Sequence, residues 1–80
     1  MPRVIETEGY RFFFYSNEHT PAHVHVRKGD GEAVFDLDAV VNLRTAFGMK
    51  SREVQRAKEL ALAHREFILR SWNEHIERQG

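Results

Sequence analysis

Three of the five histidines fall within one short stretch, as His19, His23 and His25 in the run SNEHTPAHVHVR. His23 and His25 stand two apart in an alternating apolar and polar segment. On a β-strand that spacing sends both imidazoles to the same side, about 6.6 Å apart along the backbone. One chemistry open to such a pair is metal-free cleavage of a phosphodiester, with His23 and His25 as base and acid. Arg27 or Arg11 would then clamp the developing charge, and Tyr15 or Phe13 would stack on a base. This reading gives His23, His25, Arg27 and Tyr15 catalytic roles and places Arg11, Phe13, Glu18 and His19 in binding.

A second chemistry is metal binding. His-x-His on a strand offers two nitrogen ligands, and His19 or Glu18 from the preceding loop supplies a third to a divalent ion such as zinc. The metal set on this reading is His19, His23 and His25; the acid–base reading needs no cofactor. A plain structural role stands beside both. Histidines after a proline loop can simply hydrogen-bond that loop and hold its register. Arg27 can pair with Glu32 across a hairpin, a surface contact worth under about 1 kcal/mol. The Phe12-Phe13-Phe14-Tyr15 run suits a core, and Phe13 a dimer contact.

The elements that must position these residues are legible from periodicity. Residues 3–7 carry the β-branched Val4 and Ile5 and lead into a Glu8-Gly9 turn. Residues 10–16 form the most aromatic strand. It places Tyr10, Phe12 and Phe14 on one face and Arg11, Phe13 and Tyr15 on the other, which predicts a central position. Asn17 to Ala22 is a loop with Pro21 in it. Residues 23–28 and 32–37 alternate around a Gly29-Asp30-Gly31 turn, the second with Glu32, Val34 and Asp36 outward. Residues 40–44 read as a fifth strand or a helical turn, with strand favoured by Val40-Val41.

No Gly or Pro interrupts Met49 to Gln79. Val54, Ala57, Ala61, Ile68 and Trp72 fall in one stripe at helical spacing, flanked by Leu60, Leu69 and Ile76. Ser51 suits an N-cap, with Glu53 in the first turn. The pattern predicts one helix over about 52–78, roughly 40 Å long, with Trp72 as its anchor on the sheet and Asn73 tying its end. His64 and His75 lie near the stripe and read as core or rim residues. The expected fold is α+β: an antiparallel meander of four to five strands with one long C-terminal helix across one face.

Composition narrows the class. Eighty residues form one domain, 1–80, with a small core. Twelve basic residues balance twelve acidic ones, which argues against a protein that coats nucleic acid with its whole surface. With no cysteine there is no thiolate site, and a cytoplasmic location is expected. No apolar run approaches the ~20 residues of a membrane span, and the N-terminus lacks a signal-peptide pattern, so no membrane partner is expected.

The N-terminal MPRV, the run GYRFFFYSNEHTPAHVHV, the Ala33-Val34-Phe35 strand and the closing Trp72-Asn73-Glu74 resemble a small bacterial family, domain-of-unknown-function four-one-six-zero. Members often read Pro-Pro-His where this chain has Pro21-Ala22-His23. The resemblance implies a single-domain α+β protein commonly encoded beside a second small protein, an arrangement like a toxin–antitoxin pair. It supplies no catalytic residues. The expectation is therefore the toxin-like component of a two-gene module, acting on RNA if catalytic and neutralised by a small partner protein. The alternative is a non-catalytic interaction module, an antitoxin or regulator that binds a protein or DNA. Self-association into a homodimer is compatible with either.

Overall fold

The alternating segments pair in the order in which they leave the chain. The computed structural model describes residues 3–15 and 18–76. It shows one antiparallel sheet, β1 (Arg3–Thr7), β2 (Tyr10–Phe13), β3 (His23–Lys28), β4 (Gly31–Leu37) and β5 (Val41–Phe47), in the order β1-β2-β3-β4-β5. The predicted meander is correct, and the ambiguous fifth segment is a strand, running to Phe47 rather than Arg44. β2 is interior, as its two apolar faces require, but its strand pairing ends at Phe13. Ser16, predicted as its last residue, and Asn17 of the loop lie outside the described residues.

Register follows the side-chain period. Phe12 faces Val26, Val24 faces Phe35 and Val26 faces Ala33, so these side chains share the inner face. Arg11, Phe13, His25, Arg27, Glu32 and Val34 share the outer one. A register shift between Val34 and Phe35 leaves Arg44 as an extra residue in β5, a bulge that turns its guanidinium back to Asp36.

The expected single helix is two. α1 (Ser51–Ala63) and α2 (Arg65–His75) meet at His64, whose backbone sits at φ −110°, ψ 18°. Hydrogen bonds continue on both sides of the break, from His64 N–H to the Leu60 carbonyl at 3.0 Å and from Ile68 N–H to the His64 carbonyl at 2.9 Å. Arg65 fixes the break to the sheet by donating to the Asp38 carbonyl at 2.6 and 3.1 Å and, more weakly, to the Leu37 carbonyl. A straight rod of this length would pass beyond a body only 35 × 25 × 20 Å. The break keeps the second half in contact, with Trp72 edge-on to Phe14 at 5.3 Å. The predicted residues 77 and 78 of the helix lie outside the described residues.

Two helix-end expectations also change. Lys50, not Ser51, is the N-cap: its N–H donates to the Glu53 carboxylate at 2.9 Å, so Glu53 closes the first turn from within. Asn73 is exposed rather than tied to the sheet.

Tyr10, Phe12, Phe14, Val24, Val26, Phe35, Leu37, Val41, Leu60, Ile68 and Trp72 form one buried cluster between sheet and helices. Each fully buried Phe contributes roughly 1.5–3 kcal/mol. At the rim, Glu8 in the β1–β2 turn accepts hydrogen bonds from Arg56 of α1, the Nε contact at 2.9 Å. That guanidinium holds the Glu8 carboxyl below its ordinary value of 4.5.

Two predictions follow from this packing. A Cβ on Gly31 would fall on the Gly48 carbonyl oxygen, so Gly31→Ala is expected to lose ~1–3 kcal/mol in urea unfolding. Gly29→Asn, in open space at φ 58°, should stay within ~0.5 kcal/mol. For the rim pair, a carboxyl lowered in the folded state stabilises the fold above its unfolded value. That contribution disappears as pH falls through the lowered one. Urea midpoints of wild type and Arg56→Ala should therefore differ at neutral pH and converge well below pH 4.5.

Candidate functional site

The outer face is not an open histidine surface. β3 places His23 and His25 on it, as the spacing requires, but the chain between β2 and β3 folds back over them and brings Glu18 to both rings. His23 is 7% exposed, and the Glu18 and His25 side chains are 9% and 12% exposed. The Thr20–Pro21 peptide in this loop is cis.

Hydrogen-bond chemistry assigns the ring protons. The Pro21 carbonyl can only accept, so His23 donates Nδ1–H to it at 2.8 Å. His25 donates Nδ1–H to Glu32 Oε2 at 3.1 Å. Both Nε2 atoms then turn to one group, the Glu18 carboxylate: His25 Nε2 lies 3.0 Å from Oε1, and His23 Nε2 meets Oε2. Glu32 Oε1 accepts from Arg27 at 3.1 Å. The network runs Pro21, His23, Glu18, His25, Glu32, Arg27, from the loop across β3 to β4.

Aromatic rings wall the network. Phe13 stacks on His25 at 5.4 Å and 21°, while Tyr15 stands edge-on to the same ring at 4.5 Å. The His23 and His25 rings are 5.5 Å apart. Trp72, arriving from α2, lies 5.1 Å from His23. Its Nε1 is buried and, among the described residues, has no hydrogen-bond partner.

The candidate residues thus separate into those brought together and those left apart. His23, His25, Glu18, Arg27, Tyr15 and Phe13 converge. Phe13 is buried, with one ring face against His25, which removes it as an open platform for a base. Arg11 stands opposite Arg27 in register but is exposed. His19 is exposed and outside the network. The group whose ligand atoms converge is Glu18, His23 and His25, all within 4.8 Å of one another, with Glu18 in the place considered for His19. Glu32 as the partner of His25 was not anticipated, although its outward position opposite Arg27 was. Trp72 beside His23 had no sequence signal, because it depends on the break at His64. A shallow depression at that break, lined by Leu62, His64, Arg65 and Phe67 among others, includes none of these residues.

With that geometry described, the family can be stated. The model of Domain of unknown function (DUF4160) matches residues 9–73. The chain belongs to this family. Its match spans β2 through most of α2 and so contains every residue of the network. No curated protein and no solved structure matches the chain. No helix among the described residues is long and apolar enough to cross a membrane.

The network predicts unequal costs for neighbouring substitutions. Glu32→Ala strands the His25 Nδ1–H and leaves Arg27 unpaired, and about 1–3 kcal/mol should be lost in urea unfolding. Arg27→Ala removes a half-exposed partner, 42% accessible, and should cost under ~1 kcal/mol. Equal losses would mean that His25 does not depend on Glu32.

Proposed function

We propose that this DUF4160 protein is an interaction module that binds a second protein through strand β5, within a two-gene pair. The observation that carries the reading is the edge itself. β5 is seven residues long, six of them exposed. It presents Leu43 at 46% and Phe47 at 61% exposure, with Val40 beside it at 59%. A long edge with free backbone groups and apolar side chains is the arrangement to which an extended segment of a partner adds as a further strand.

The occupant is a different protein rather than a second copy. Antiparallel self-pairing about the middle of β5 would set bulge against bulge at Arg44, where the extra residue interrupts a regular ladder. A partner segment with apolar side chains matches Leu43 and Phe47, while Arg44 keeps its pairing with Asp36. The cytoplasm, where a cysteine-free chain meets no redox demand, is the compartment this reading calls for.

The toxin-like reading, with RNA cut by His23 and His25, draws less support from the geometry. Acid–base catalysis needs one imidazole free to take a proton and another free to give one to substrate. Here each Nδ1 is held by the Pro21 carbonyl or by Glu32 and each Nε2 faces Glu18 rather than an open surface, behind side chains almost closed to solvent. A toxin-like role that works by binding alone remains compatible with the edge.

The test is titration of the purified chain with the protein encoded beside it. Leu43→Glu with Phe47→Glu should weaken binding at least about tenfold, with folding retained because both residues are exposed. Arrested bacterial growth on induced expression that survives these edge substitutions, yet disappears in His23→Ala with His25→Ala, would instead favour the cleavage reading.

A further inference from the structure

The proton assignments around Glu18 have a chemical consequence. Each histidine directs its Nδ1–H to an acceptor, the Pro21 carbonyl for His23 and the Glu32 carboxylate, also held by Arg27, for His25. That leaves each Nε2 as the atom with the lone pair, and both lone pairs are directed at the oxygens of a single carboxylate. Lone pairs on nitrogen and on carboxylate oxygen repel. Their convergence in a nearly closed site requires something positive between them, either a second proton on each ring or one shared cation.

We infer that Glu18, His23 and His25 form a divalent-metal site of the zinc class, with the ion bound by His23 Nε2, His25 Nε2 and the Glu18 carboxylate. Two imidazoles and a carboxylate are a donor set that zinc, cobalt and nickel accept. Ligand atoms around a tetrahedral zinc sit about 3.3 Å apart, and these lie within 4.8 Å of one another, His25 Nε2 and Glu18 Oε1 at 3.0 Å. Small side-chain rotations complete the geometry.

The outer contacts favour the cation over two protons. Metal-bound histidines donate their other ring N–H to a carboxylate or backbone carbonyl, which fixes tautomer and ring orientation. Both forms are present here: the Pro21 carbonyl behind His23, and Glu32, itself held by Arg27, behind His25. Neutral imidazoles with Glu18 around a dication leave one positive charge, and Glu32, shared between His25 and Arg27, lies behind it. The three protein ligands leave one position for water. The ion would fasten the loop between β2 and β3 onto the sheet. This inference does not rest on partner binding and stands or falls separately from it.

The experiment uses tag-free full-length protein, stripped with EDTA, desalted and titrated with zinc and with cobalt. Binding is read by native mass spectrometry, by the visible absorption of cobalt, and by the fluorescence of Trp72, the single tryptophan of the chain. One ion per chain is expected, with tetrahedral-type cobalt bands and a fluorescence change, because Trp72 lies against His23. Glu18→Gln, a loop substitution of unchanged shape, should weaken binding at least tenfold, and Glu32→Gln should weaken it about 10–100-fold. His19→Ala should leave it unchanged. The inference is overturned if the stripped wild type, shown to be folded by circular dichroism, takes up no zinc or cobalt well above the protein concentration. Full affinity in Glu18→Gln or in His25→Ala would overturn it equally.

Discussion

A five-stranded sheet has two faces, and among the described residues the only helices to cover them are α1 and α2, end to end. Everything distinctive in the structure follows from that shortage. Phe12, Val24, Val26 and Phe35 take the inner face and pack against Ala57, Leu60 and Ile68. The outer face still carries Phe13 and Val34, which are as buried as core residues. The chain closes this second face with a polar loop and with Trp72 of α2. The break at His64 is thus a means of coverage: it brings Trp72 around to touch both Phe14 of the core and His23 of the outer face.

Closing a face with a loop brings backbone and carboxylate groups into a poorly solvated place, where each needs a partner. Glu18, His23, His25, Glu32 and Arg27 meet this demand as a connected set. Such a network is costly when incomplete, since loss of one member leaves the next unpaired. Its members are held from two strands and a loop, and a ligand-binding constellation requires such support. One set of contacts can therefore stabilise the small domain and preorganise donors for a cation.

The opposite economy holds at β5. Its first residue, Val41, is buried in the core, but the six that follow are exposed along the margin of the sheet. The Arg44 bulge and its pairing with Asp36 blunt the edge against indiscriminate association. Leu43 and Phe47 on either side keep it apolar enough to reward a matching segment. An 80-residue chain has few ways to form a specific binding surface, and an edge strand uses main-chain groups that are already present.

Local pattern was sufficient for much of this. Alternation in HVHVR and in EAVFDL placed side chains on their faces, the Gly29-Asp30 turn set the β3–β4 register, and both segments lie within the residues 9–73 that carry the family match. His23 and His25 on one face, and Arg27 opposite Glu32, follow from a period of two and were readable without coordinates. The helix break, the N-cap at Lys50, the burial of the outer face and the choice of Glu18 over His19 were not. Each depends on how elements distant in sequence share limited surface. His64 lies in an uninterrupted helical pattern with no Gly or Pro to mark a stop, and the break is accompanied by tertiary contacts, Arg65 to the Asp38 carbonyl and Trp72 to His23. Glu18 and His19 are neighbours of equal promise in the sequence. The path of the folded loop decides which of them meets the imidazoles, because periodicity does not extend through an irregular segment.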